Sequence, residues 1–313
     1  MMRSVPPATR AFLEGMFAVL AFAIGAWPSP AAACACGCGV FEIGNLFPTQ
    51  AGGAVFTEYD FMDQNRNWSR ASRAPAGGND DKDIRTDFVT LGGQYLSASG
   101  LGAMLEVPFW NRRFATAGSG SLEAFNNTAL GDIRLTGVYS GFFEDRGTGV
   151  TVGVKFASGD FSDPNFDRDT SIGSGSTDLM LGAYHRGAFD TFGLWRYFVQ
   201  GRYQFPLATQ AGYHPGVEWN GIAGVSYDAG IVAGADVAPM LQLIASTRRH
   251  DGGPEADPLN SGYSELLIAP GLDIGAGNWV VHGEAALPIL RNVIGNQLVA
   301  PVLLKFSVAY LFE

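Results

Sequence analysis

From residue 53 to the C-terminus the chain repeats one pattern. Blocks of roughly ten residues alternate apolar and polar positions, and polar, glycine-containing connections separate them. In the last block Leu304, Phe306, Val308, Tyr310 and Phe312 share one face, while Lys305, Ser307, Ala309 and Leu311 share the other. In an earlier one Trp195, Tyr197, Val199, Tyr203 and Phe205 alternate with Arg196, Phe198, Gln200, Arg202 and Gln204. A period of two places successive side chains on opposite faces of a strand. About twelve such blocks can be counted: 53–63, 86–97, 101–112, 128–140, 148–159, 174–187, 194–206, 217–228, 231–247, 262–275, 278–290 and 299–312. The connections alternate in length. Ser99-Gly100, Glu144 to Gly147, 188–193, Ala229-Gly230 and Gly277-Asn278 are short, whereas 64–85, 113–127, 160–173, 207–216, 248–261 and 291–298 are long. This rhythm predicts an all-β transmembrane antiparallel β-barrel of about 12 strands. Its long loops would be extracellular, its short turns and both termini periplasmic. Closure is what makes such a sheet compatible with lipid, because no strand edge is left with unsatisfied backbone groups.

Composition narrows the alternatives. Of 313 residues, 47% are hydrophobic and 16% charged, against about a quarter charged in ordinary soluble domains. A secreted β-sandwich would also alternate, but it does not account for the long–short rhythm or the aromatic-rich apolar faces. Beyond the N-terminus no run of 18 or more apolar residues exists, which excludes a helical membrane bundle. The net charge of −10 and the absence of a basic cluster exclude a nucleic-acid partner. At the N-terminus Arg3 and Arg10 precede an apolar stretch from Gly15 to Trp27, followed by Pro28-Ser29-Pro30-Ala31-Ala32-Ala33. That reads as a signal peptide over residues 1–33. Residues 34–52 then form a Cys-rich periplasmic segment or plug, and 53–313 the outer-membrane barrel.

If the apolar faces meet lipid, the polar faces line the lumen. Glu58, Glu106, Arg134, Lys155, Asp178, Arg196, Arg202, Glu265 and Glu284 are the candidate lumen and selectivity residues, with Asp60, Arg112, Asp132, Arg186, Asp228, Asp273 and His282 in the same phase. Two readings stand side by side: a network bracing the wall, and a path that selects solutes by charge. His185, His214, His250 and His282 lie in no nucleophile motif, and no Gly-x-Ser-x-Gly elbow occurs, so no catalytic residue is expected and the chain is read as not an enzyme. In the loop after the fifth block, Asp160, Asp163, Asp167 and Asp169 could hold a hard cation such as calcium. Their spacing is not that of an EF-hand, and a solvated or arginine-paired loop competes with the calcium reading. All three cysteines lie in Cys34-Ala35-Cys36-Gly37-Cys38-Gly39. Lipidation of Cys34, a disulfide, a soft-metal site for copper or zinc at Cys34, Cys36 and Cys38, and no chemistry at all are the open readings.

The segment Gly153-Val154-Lys155-Phe156-Ala157-Ser158-Gly159-Asp160 resembles the Gly-x-Lys-x-Pro-Thr-Gly-Asp element of an outer-membrane transporter family related to the meta-pathway phenol-degradation proteins, with Ala157-Ser158 where Pro-Thr is usual. Arg168 to Asp178, containing Gly173-Ser174-Gly175-Ser176, is similar to a second element of that family at the start of a strand. Gly131-Asp132, Gly216 and Gly295-Asn296-Gln297-Leu298 fit as well, so that the resemblance spans roughly residues 50 to 312. It implies a barrel that passes small, often aromatic or hydrophobic, solutes, and it brings no agreed catalytic residues to transfer. No cofactor is expected apart from the copper or zinc reading of the N-terminal cysteines. The Cys-rich start departs from the family pattern. The expected function is therefore an outer-membrane channel for passive diffusion of small solutes. The alternative is a metal-handling (copper or zinc) or structural outer-membrane protein that uses its N-terminal cysteines. Expected partners are the lipid bilayer and lipopolysaccharide, the barrel-insertion machinery, small solutes and, in the metal reading, a periplasmic partner.

Overall fold

The alternating blocks fold into twelve strands that close on themselves. The computed structural model describes residues 50–117, 120–168 and 170–313. The strands are β1 (Gly52–Gln64), β2 (Asp83–Leu96), β3 (Leu101–Thr116), β4 in two segments (Glu123–Leu130 and Arg134–Tyr139), β5 (Thr148–Lys155), β6 (Ser176–Ala188), β7 (Trp195–Thr209), β8 (Glu218–Tyr227), β9 (Ala235–Arg248), β10 (Tyr263–Ala276), β11 (Trp279–Val299) and β12 (Leu303–Phe312). Each pairs antiparallel with its sequence neighbours, and β1 pairs with β12 from Gly53↔Phe312 to Met62↔Leu303. That last ladder removes the two free edges. Each orphaned backbone group in lipid would cost several kcal/mol.

Side chains sort by phase. Leu91, Leu105, Leu135, Val152, Leu181, Val199, Leu241, Leu243, Leu304 and Phe306 are exposed on the outer face and form its apolar band. Aromatic residues edge that band. Trp195 stacks near Tyr227 (centroids 4.9 Å apart) and Trp279 near Tyr310 (5.0 Å) on the short-turn side, while Tyr59, Phe109, Tyr203 and Trp219 are exposed toward the other end. Such girdles mark the two lipid–water boundaries. On the inner face, large rings lie against glycines of the next strand. A Cβ on Gly92 would meet the Phe56 ring at 2.0 Å, and one on Gly224 would meet Phe198 at 2.5 Å. Here the glycines make room for rings that fill the interior of a curved sheet.

Three expectations about connections are corrected. Residues 113–127 do not form one long loop: β3 runs to Thr116, and Phe109–Thr116 pairs with Glu123–Leu130. Residues 291–298 are not a loop either. They belong to β11, which reverses at Gly295 (φ 68°) and pairs through Asn296–Val299 with Arg66–Ser69 of an arm that continues β1. In both places the rim satisfies its backbone groups by extending the ladder beyond the membrane. On the opposite side, the β4–β5 connection spans 140–147 rather than 144–147. The fifth block ends early, at Lys155 rather than residue 159, because the chain there turns into the barrel.

Candidate functional site

The interior is the place where this chain concentrates unusual chemistry, and it is layered. The periplasmic half holds a cavity of about 780 Å³, lined among others by Phe56, Arg186, Arg196, Phe198, His282, Glu284 and Lys305. At its inner end Lys305 Nζ lies 3.1 Å from Glu58 Oε2, and in register Lys305 faces Asp60 on one side and Glu284 on the other. Glu284 also accepts a hydrogen bond from Gln242 and stands 3.6 Å from His282 Nε2, whose Nδ1 is 2.7 Å from Asp273.

Above this lies an apolar waist. Met62, Phe88, Ile222, Ile244, Leu267, Ala269, Ala286, Ala300 and Leu303 form one buried cluster with Trp110 and Phe198 packed against it. Phe88 and Trp110 meet edge to face at 4.6 Å. These side chains come from β1–β3, β7–β12 and the β11–β12 turn. The remaining wall is ionic. Arg134 Nε lies 3.3 Å from Glu106, and Lys155 Nζ lies 2.8 Å from Asp178 and 3.5 Å from Asp132, with all five side chains nearly buried. Gln204 donates to Asp178 at 2.7 Å, so the ion pairs are also hydrogen-bonded. Removing one partner of such a pair strands a buried charge and costs about 3–5 kcal/mol.

The extracellular half is nearly filled. The chain after β5 turns inward: Asp132 accepts from the amides of Gly159 and Ser174, each at 3.0 Å, and from the Ser174 hydroxyl. Gly159 and Gly173 pass so closely that a Cβ on Gly159 would lie 2.6 Å from the Gly173 Cα. Arg112 donates to Thr86 (2.9 Å) and to the carbonyls of Thr170 and Ser171 (3.2 Å for the latter). Phe166 packs on Phe114 (5.6 Å). Lys82, from the loop after β1, reaches Asp167 at 2.6 Å. The segments that carried the family resemblance, around Gly131-Asp132, Gly159 and Gly173-Ser174, thus meet in one latch. A cavity of about 120 Å³ opens on this side, and it shares no lining residue with the periplasmic one.

The sequence-predicted residues can be placed in this frame. Glu58, Glu106, Arg134, Lys155, Asp178 and Glu265 are buried in the interior as paired groups; Glu265 is held by Arg291 at 2.9 Å. Glu284 and Arg202 are half-buried. Arg196 sits at the periplasmic opening, its side chain 61% exposed and 3.1 Å from Asp228. The acidic loop residues do not converge. Asp160 accepts from Asn127 and Ser162, Asp163 from Asn165, and Asp167 takes Lys82. Among the described residues, no three or more His, Cys, Asp or Glu side chains are placed to hold a metal ion. The Ser162 backbone N–H, then the Asn127 amide, hold the Asp160 carboxyl below its ordinary pKa. Asp169, residues 1–33 read as a signal peptide, and Cys34, Cys36 and Cys38 lie outside the described residues. Among the described residues, none of the four histidines hydrogen bonds to a serine hydroxyl: His185 bridges Thr148 and Tyr197, His214 meets Thr209, and His250 meets the Asp251 carbonyl.

Sequence reasoning missed the waist. It assigned apolar residues to lipid by phase, and the waist residues are apolar and inward. One signal was available: runs such as Leu266-Leu267-Ile268-Ala269 and Leu303-Leu304 are apolar in both phases, as strands covered on both faces are.

No protein-family model matches the chain, and no curated protein matches it in sequence. Solved structures do match in fold. An outer membrane channel from Pseudomonas putida F1 superposes with a TM-score of 0.64 at 12% identity, over 85% of this chain and 97% of that one. The β domain of the Bordetella autotransporter BrkA matches at 0.46 and 13% identity over 84% and 100%. The CymD monoaromatic hydrocarbon channel matches at 0.45 and 10% over 90% and 95%. The closed barrel, the apolar outer band and the two aromatic girdles together make this chain a multi-pass β-barrel of the outer membrane.

Proposed function

We propose that the barrel is a channel for passive diffusion of small solutes, and that its cargo is small, uncharged and apolar or aromatic. The observation that carries this reading is the waist between the two cavities. Met62, Phe88, Leu267 and Leu303 are packed against one another and Trp110, so a solute crosses by parting them and gains dispersion contacts and aromatic edges as it does. To a hydrated ion the same ring presents a dewetted barrier. The ion pairs on the remaining wall are buried and satisfied within the wall and brace it, leaving little free charge there to attract ionic cargo. The fold shared with an outer membrane channel, and the sequence elements that resemble aromatic-uptake barrels, support the same class of activity.

The test is a paired measurement on the full chain. In planar bilayers the wild-type barrel is expected to pass little ionic current, while proteoliposomes take up phenol or toluene faster than protein-free vesicles. Phe88→Ala is expected to raise the ionic current several-fold by opening the waist. A large ohmic conductance in the wild type, without uptake of uncharged aromatics, would replace this reading with that of a general polar pore.

A further inference from the structure

On the outer face, at the extracellular end of β9–β11, the wall carries a groove of about 260 Å³. Thr247, Arg249, His250, Ser264, Asn292 and Ile294 line it, with Arg248 and Tyr263 at its back, and no carboxylate is among the lining residues. Its height relative to the membrane follows from the strand register. Ala245, Leu266 and Leu290 stand side by side across β9, β10 and β11, and Leu290 is 66% exposed in the apolar band. Two residues further along each strand, on the same face, stand Thr247, Ser264 and Asn292. A row of hydroxyl and amide groups therefore replaces aliphatic ones about one pleat repeat, ~7 Å, above the acyl region. That is the depth of lipid headgroups.

The backbone of Arg249 is held in place there. Its amide donates to the Val217 carbonyl at 2.9 Å. A Cβ on Gly216 would fall 1.9 Å from the Arg249 carbonyl oxygen, and one on Gly262 (φ 91°) would fall 2.9 Å from its carbonyl carbon. Two glycines thus clasp the backbone of this one residue. Its guanidinium makes no ion pair among the described residues, and Asn292 makes no side-chain hydrogen bond among them. The nearest carboxylate in sequence, Asp251, is buried and taken by Arg248 (2.6 Å), Tyr213 (2.6 Å) and the Gly216 amide (2.7 Å). Elsewhere on the rim the contrast is clear. Arg85 and Arg113 face each other across β2 and β3, but Asp63 stands opposite Arg85, Asp87 lies 3.8 Å from it, and Asp83 lies beside Arg113.

We infer that this groove is a binding site for the phosphorylated headgroup of an outer-leaflet glycolipid. Arg249 takes the phosphate through charge-assisted hydrogen bonds. Thr247, Ser264 and Asn292 supply polar contacts to the sugar and phosphate oxygens, and His250, whose Nδ1 donates to the Asp251 carbonyl, offers Nε2 as an acceptor to a sugar hydroxyl. Ile294, further from the acyl region, gives an apolar contact to the sugar ring. The inference depends on the membrane setting of the barrel and is independent of what passes through the lumen.

The test uses the full chain, folded in detergent, titrated with bis-phosphorylated lipid A. Dephosphorylated lipid A, phosphatidylglycerol and inorganic phosphate are the comparison probes. Arg249→Gln is expected to weaken lipid A binding about tenfold or more, the loss of a hydrogen bond to a charged group. Asn292→Ala is expected to weaken it about threefold, within the range of a single neutral hydrogen bond. Arg85→Gln should leave it within twofold. The dephosphorylated lipid should bind as poorly to the wild type as lipid A does to Arg249→Gln. Equal lipid A affinity of the wild type, Arg249→Gln and Asn292→Ala would overturn the site. Displacement of lipid A by equimolar inorganic phosphate would overturn the lipid assignment. Equally tight binding of phosphatidylglycerol would reduce the site to bulk attraction between charges. If Arg249→Gln does not fold, Asn292→Ala and the dephosphorylated lipid still decide the outcome.

Discussion

The two ends of the interior are built from the same twelve strands, yet one is nearly closed and the other open. On the extracellular side the segment after β5 is pulled in by Asp132, Arg112 and the Phe114–Phe166 contact, and about 120 Å³ is left. On the periplasmic side the turns are short, no described segment enters, and about 780 Å³ is left. The strands set the diameter in both halves. The difference comes from one loop and from how many of its polar groups the wall can satisfy. A loop can be buried inside a barrel only if its backbone finds partners there, and Asp132 and Arg112 supply them.

Three substitutions or conditions would break or sharpen this contrast. The largest effect is expected from Lys305→Met in the periplasmic half. It leaves Glu58, Asp60 and Glu284 facing one another without the ammonium, and should lower barrel stability by about 3–5 kcal/mol. Thermal unfolding on heat-modifiable gels reads the loss. A shift no larger than that of a surface variant would mean that the charged layer is already hydrated. Next is Asp132→Ala on the extracellular side. It removes the acceptor of two backbone amides and a hydroxyl while Lys155 keeps Asp178. The barrel should stay folded while the latch opens, so hydrogen exchange should accelerate at Gly159 and Ser174 and spare the β-ladders. Uniform acceleration across β4–β6 would instead make Asp132 part of the wall's stability.

The smallest effect belongs to the periplasmic rim. Asp190 accepts backbone hydrogen bonds from Trp195 (2.7 Å), Phe192 (2.9 Å) and Leu194 (3.2 Å), and these, led by Trp195, hold its carboxyl below the ordinary value. A depressed folded pKa means that the turn's added order is complete above the ordinary aspartate range. It fades only as pH falls through the lowered value. Amide exchange at Phe192 and Trp195 should therefore, after correction for intrinsic rates, stay flat from neutral pH down to the ordinary carboxylate range. It should rise as pH falls from that range through the lowered value, and not at all in Asp190→Asn. A midpoint at or above the ordinary aspartate value would contradict the assignment.

Much of this was readable from residue order. All twelve strands fall on the blocks that the period of two marks, and the buried ion-pairing residues Glu58, Glu106, Arg134, Lys155, Asp178 and Glu265 were found by phase alone. Phase is a local property, so it survives without knowledge of the fold. It put Leu304 on the lipid face and Leu303 in phase with Lys305, but it could not show that the inward Leu303 would pack with apolar side chains of distant strands into a waist. It also could not see that Asp132 and Ser174, far apart in the chain, bind each other. The three described acids of the 160–173 loop looked like a cluster in sequence and went to separate partners in space, because each found a nearer donor.

The sequence by itself determined the strand count, the two solvents the sheet must face and the side of the membrane that carries the long loops, since alternation and turn chemistry act over a few residues. The tertiary structure alone decided that the interior is divided by an apolar waist, that the loop after β5 lies inside the mouth, and that the stretch after Leu290 folds back onto an arm of β1. Those outcomes depend on which side chains meet across a closed cylinder, and closure brings together residues that no local pattern connects.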